Sequence, residues 1–124
     1  MSDQLTEIEP RIVDHFFTFR PQAAVELGLH RYDGKLPDLS RGATEQWTTS
    51  AERYLSQLGE IEVASLPPAR QLDHLLLRLL LEGALFDLKE LRELESNPMS
   101  YVLIPTLLTY LTREYAPAAD RVAA

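Results

Sequence analysis

The side chains that could do chemistry in this chain are few, and their spacing limits what they could do. Three histidines, His15, His30 and His74, stand far apart, and none begins the His-Glu-x-x-His pattern that sets two zinc ligands and a general base on one helix face. No local metal motif exists, so tight zinc binding by this chain is not expected and no cofactor is assigned to it. Cysteine is absent, which removes thiolate nucleophiles, disulfides and Cys-ligated zinc together and fits a reducing, cytoplasmic setting. No serine lies in a Gly-x-Ser-x-Gly elbow. Gly28, Gly34, Gly42, Gly59 and Gly83 are too scattered to build a phosphate-cradling loop. No catalytic residue and no metal ligand follows from these residues.

Three polar constellations are left. His74, Arg78 and Glu82 are spaced four apart, so on a helix they form one stripe, and Arg78 can pair with Glu82 across a turn. The stripe reads as a buried ionic contact or polar cleft wall, or as the solvated edge of a mostly buried helix, and such spacing more often means the second. Asp14 and His15 are adjacent, which on a helix turns them about 100° apart and makes them a surface pair rather than one site. The third is the loop that runs from Gly28 to Ser40, which is long, polar, aromatic and turn-rich at once. Its His30, Arg31, Tyr32 and Asp33 could line a substrate cleft. Alternatively, Asp33 bonds its own turn backbone while Tyr32 packs between helices, and this structural reading is the favoured one.

The elements that must position these groups read as helices throughout. Leucine occurs 23 times against nine valines and isoleucines, recurring three and four apart, which favours an all-α chain over β-branched alternation. Thr6 and Glu9 have capping-box spacing, and Ile8, Ile12, Phe16 and Phe19 line one face of a first helix that ends at Phe19. Pro21 suits the first position and Gly28 the C′ position of a short second helix. Ser40 suits the N-cap of a third helix, where Trp47, Ala51, Tyr54, Leu55, Leu58 and Ile61 form a stripe that ends near Glu62. The spacing then predicts a fourth helix over residues 69–95, about 40 Å long. Its leucines from Leu75 to Leu81 leave only the Arg78 side polar, which predicts a middle surrounded on most sides, with Leu76 and Leu79 in the core. Gly83 is expected to let another helix approach. A fifth helix from Pro105 passes through Leu107, Leu108, Leu111 and Tyr115, and a sixth over residues 118–124 is marginal unless docked. The expected architecture is one domain over residues 1–124, a compact antiparallel bundle-like array of about five to six helices around the long Leu-rich helix.

Charge bounds the partners. A formal net charge of −7 and a pI near 4.9 oppose phosphate backbones and anionic lipid, so nucleic acid and membrane are not expected partners. The most apolar stretch, residues 72–88, is broken by Asp73, His74, Arg78, Glu82 and Asp87, and the acidic N-terminus carries no secretory signal.

The loop from Gly28 through His30-Arg31-Tyr32-Asp33-Gly34 to Leu39-Ser40 resembles the N-terminal signature of the bacterial family called "domain of unknown function 885". The resemblance continues through residues 69–95, Asn97-Pro98, Tyr101 and Tyr115-Ala116-Pro117, and it spans only roughly the first quarter of a family member. It implies a zinc metallopeptidase-like protein of helical architecture. A later His-Glu-x-x-Pro-Gly-His segment would hold the metal and the general base. That segment does not occur in these 124 residues, so no metal-site residue carries over, and the resemblance implies scaffold or cleft wall.

Two functional expectations result. The chain is the N-terminal helical part of such a protein, inactive alone, with the remainder of its own longer chain as its contact. Alternatively, it is a free-standing helical module that binds a protein partner through an apolar face. If the chain is such a fragment, the face made by Leu107, Leu108, Leu111 and parts of the leucine-rich helix is expected to be partly uncovered, with self-association or hydrophobic-dye binding as concentration rises.

Overall fold

In the computed structural model, residues 4–114 and 116–123 are described, together with their side chains except those of Thr106 and Thr109. Among the described residues all regular structure is helical: α1 (Gln4–Phe19), α2 (Pro21–Glu26), α3 (Arg41–Gly59), α4 (Pro68–Leu85), α5 (Glu93–Ser96), α6 (Ile104–Thr112) and α7 (Ala118–Ala123), with short 3-10 turns between them. The expected continuation of α6 through Tyr115 lies outside the described residues.

α1, α3 and α4 form the core. Leu5, Ile8, Ile12 and Phe19 of α1 meet Trp47, Ala51 and Leu58 of α3 and Leu77, Leu81, Ala84 and Leu85 of α4. The expected stripes of α1 and α3 are the buried ones. A smaller cluster on the other side of α1 joins Phe17 to Ala24 and Val25 of α2, Tyr32 of the loop and Tyr110 of α6. This second cluster, together with Tyr110 Oη donating to the Lys35 carbonyl at 2.7 Å, positions the loop. Arg113 reinforces the end of α2 from outside, donating to the Val25 carbonyl, which also accepts the Gly28 N–H, and to the Glu26 carbonyl.

Several local signals operate as expected. Ser40 Oγ accepts the Ala43 N–H at 3.3 Å and caps α3, which stops at Gly59 rather than at Glu62. Pro21 opens α2, and Gly28 leaves it at φ +83, the left-handed conformation that glycine adopts without penalty. Other signals are used differently. α1 is already helical at Gln4, so Thr6 and Glu9 do not cap it, and both instead receive Arg70 of α4, with Glu9 at 2.9 Å. Pro10 sits in the second turn of α1, on its exposed side.

The expected long central helix is corrected in two respects. α4 gives way to one π-helical turn, Phe86–Glu90, in which the Leu91 N–H reaches back to the Phe86 carbonyl at 3.0 Å. Arg92 then takes φ 52, a left-handed conformation that costs a non-glycine residue roughly 1–2 kcal/mol. The charged tail beyond Leu88 buries too little to hold a straight helix against that break. Second, α4 is flanked by α1 and α3 on one side only. Leu72, Leu75, Leu76 and Leu79 are exposed, Leu76 at 55% and Leu79 at 50%. The assignment of Leu76 and Leu79 to the core is therefore wrong. Gly83 is also exposed, and a Cβ there would meet nothing within 4 Å, so no described helix approaches it.

Candidate functional site

The signature loop is held rather than hanging. A 3-10 turn, His30–Tyr32, sits between Gly28 and Gly34, and Gly34 also has positive φ, at +78. The turn swings Tyr32 inward. Its ring is buried 5.7 Å from that of Phe17, and its hydroxyl donates to Asp14 Oδ1 at 2.6 Å. Arg31 stands 4.8 Å over the same ring and 3.7 Å from Asp14, while Lys35 approaches the ring at 5.5 Å. Burial foremost, and then the hydrogen bond and charge of Asp14, push the Tyr32 phenol above its ordinary range, with Arg31 opposing. Tyr32 thus stays a neutral donor at all ordinary pH. His30 is at the surface, where Nδ1 lies 3.1 Å from Asp33 Oδ2. Asp33 bonds this ring rather than its own turn backbone, and its Oδ1 is buried with no hydrogen-bond donor.

The loop residues therefore form two pairs of contacts, Tyr32 and Arg31 on Asp14 and His30 on Asp33, in an arrangement that anchors the loop through Tyr32 and leaves the His30 and Arg31 side chains largely exposed. It contains no activated nucleophile and no general base beside one.

The His74–Arg78–Glu82 stripe does not act as a unit. His74 is buried and its Nε2 lies 2.8 Å from the Leu58 carbonyl, so that nitrogen carries the proton and ties α4 to the end of α3. Arg78 Nε and Glu82 Oε1 pair at 3.5 Å in the open. The solvated-edge reading holds for that pair, whereas His74 is a core hydrogen bond.

His15 is the group that sequence reasoning misplaced. It is not half of a surface pair with Asp14. Its ring stacks on Trp47 with centroids 4.8 Å apart and planes 8° from parallel, and Tyr54 meets it edge-on at 5.2 Å. Trp47 Nε1 donates to the His15 carbonyl at 3.1 Å. Both ring nitrogens are buried without a hydrogen-bond partner. Burial first, then the nearby Arg53 charge, lower its pKa below the usual histidine value, against a smaller opposing pull from Asp14. A signal was available: His15 falls three residues after Ile12 and four before Phe19, inside the apolar stripe of α1.

The outer face of α4, continued by Phe86 at the start of the π-turn, is the remaining feature of size. Leu72, Leu76, Leu79 and Phe86 are about half exposed, and with exposed Gly83 they recur at spacings of four, three, four and three. Leu75 flanks them. Among the described residues no helix is long and apolar enough to cross a membrane, and no three or more His, Asp or Glu side chains gather as a metal site.

No family model, curated protein or solved structure matches this chain. The zinc that the resemblance implies finds no donor set in these residues: His15 lies among aromatic rings, His74 is bonded to a carbonyl, and His30 sits at the surface beside Asp33. None of the three is assigned to a metal.

Proposed function

We propose that this chain is a non-catalytic helical scaffold, the N-terminal part of a metallopeptidase-like protein, and that the outer face of α4 seats against the rest of that protein. One observation carries the reading: the five-position stripe from Leu72 to Phe86 faces water. Alternating spacings of four and three follow the 3.5-residue period with which a helix presents a seam to another helix. Fully burying a leucine contributes roughly 1.5–3 kcal/mol relative to leaving it exposed. Covering the stripe is therefore strongly favourable, and exposed apolar patches of this kind mark contacts. Leu107, Leu108 and Leu111 of α6 add a second uncovered face.

In this reading the signature loop is a wall of the substrate cleft, with Tyr32 as its anchor and His30 and Arg31 on the side that substrate would meet. The zinc and the general base would come from the His-Glu-x-x-Pro-Gly-His segment of the remaining chain, and a cytoplasmic location goes with the lack of cysteine. The reading frame downstream of Ala124 tests the proposal. Continuation into that segment is the expected result. A stop codon directly after Ala124 contradicts it and leaves a free-standing interaction module.

A further inference from the structure

Where α1 hands over to α2, a cavity of about 310 Å³ is lined by Arg20 and Gln22, by residues of the π-turn and α5, and by Pro37 and Leu39 of the signature loop. The volume is at the small end of ligand pockets, roughly 300–1,000 Å³, a size for a metabolite rather than a polymer. Leu88, Leu94 and Leu103 give it an apolar wall.

Three charged residues line it: Glu93 accepts from Asn97 Nδ2 at 3.2 Å, whereas Arg20 and Asp87 have no such partner. Arg20 forms no ion pair with any described residue and has only the Phe16 ring, 6.0 Å away, beneath its guanidinium. The Asp87 carboxylate, which also lines the cavity, has neither an ion pair nor a hydrogen bond with any described residue. Gln22 Oε1 is buried without a donor. The cavity thus holds a free fork of donors, a free carboxylate and a free carbonyl oxygen that do not satisfy one another. A simple anion would leave Asp87 and Gln22 unpaired, and a simple cation would leave Arg20 unpaired. A ligand that carries both charges satisfies all three.

We propose that this cavity binds a small zwitterion, a free α-amino acid with an apolar side chain. Arg20 takes the carboxylate in the two-pronged geometry that guanidinium groups favour. Asp87 and Gln22 Oε1 accept from the ammonium, and the side chain lies on Leu88, Leu94 and Leu103. The inference is independent of what covers α4, because the cavity is lined by neither Tyr32 nor Asp14 and uses no residue of the α4 stripe.

Titration calorimetry of the 124-residue chain with L-leucine tests it, with 4-methylpentanoate (no amine), isopentylamine (no carboxylate) and glycine (no side chain) as comparators. The expected result is saturable binding of leucine, weakened about tenfold or more by loss of either charged group, since each loss strands a partly buried charge. Arg20→Gln and Asp87→Asn weaken leucine binding similarly, and Arg78→Gln on the exposed α4 pair leaves it unchanged. No saturable leucine binding overturns the proposal, as does equal binding of leucine and 4-methylpentanoate. The ligand series uses the unaltered chain, so its outcome does not depend on how either variant folds.

Discussion

The two faces of α4 are built from the same residue and live in opposite environments. Leu77, Leu81 and Leu85 are buried against α1 and α3, and Leu81 has no exposed surface, whereas Leu72, Leu76 and Leu79 look outward. Side-chain type does not separate the two sets. What separates them is which side of the helix has neighbours. On the proposal made above, the outer face is where a fourth contact would fall, and the difference between the two faces is what that proposal rests on.

The largest expected effect is on the inner face. Leu81→Ala leaves a cavity among α1, α3 and α4 and should cost about 2–5 kcal/mol in urea unfolding. A loss under about 1 kcal/mol would break the comparison. Next, Tyr32→Phe removes the bond to Asp14 and should cost about 0.5–1.5 kcal/mol, with the loop amides exchanging faster by NMR. Unchanged loop exchange would mean that the hydroxyl does not anchor the loop.

A third effect is pH-dependent. The His15 pKa is lower in the folded chain than in the unfolded one, so at intermediate pH the unfolded state binds the extra proton. The contribution is fully present above the ordinary histidine value, about 6.5, and is lost as pH falls from there toward the folded value. The urea midpoint should drop between pH 7 and pH 5, and less steeply in His15→Phe, which keeps the stack on Trp47. Equal slopes would refute the placement of His15. Smallest of all, Arg78→Ala removes a solvent-exposed pair and should change stability by less than about 0.5 kcal/mol.

Helix existence was legible because it rests on local chemistry: Ser40 caps, Pro21 starts and Gly28 stops regardless of what packs nearby. Burial was legible where polar residues outline a stripe, as in α1 and α3. It was not legible across Leu75–Leu81, where six leucines around a single arginine carry no directional pattern, and the assignment of Leu76 and Leu79 came out inverted. The break at Arg92 had no local marker either, since neither glycine nor proline stands there. At the candidate site, Tyr32 could be read as an anchor because aromatic residues in turn-rich loops usually find a core. Its bond to Asp14, eighteen positions away, and the burial of His15 depend on how α1 lies against the loop and α3, which no local spacing encodes.

The most direct test of the uncovered α4 face is the fluorescence of an apolar-surface dye with the Leu76→Glu/Leu79→Glu variant, read beside the unaltered chain at equal concentration. The account predicts that the variant stays folded by circular dichroism and gives a clearly lower dye signal, the remainder coming from the α6 face, because its two new carboxylates sit in water where leucines had been. Unfolding of the variant, or a dye signal equal to that of the unaltered chain, would contradict it.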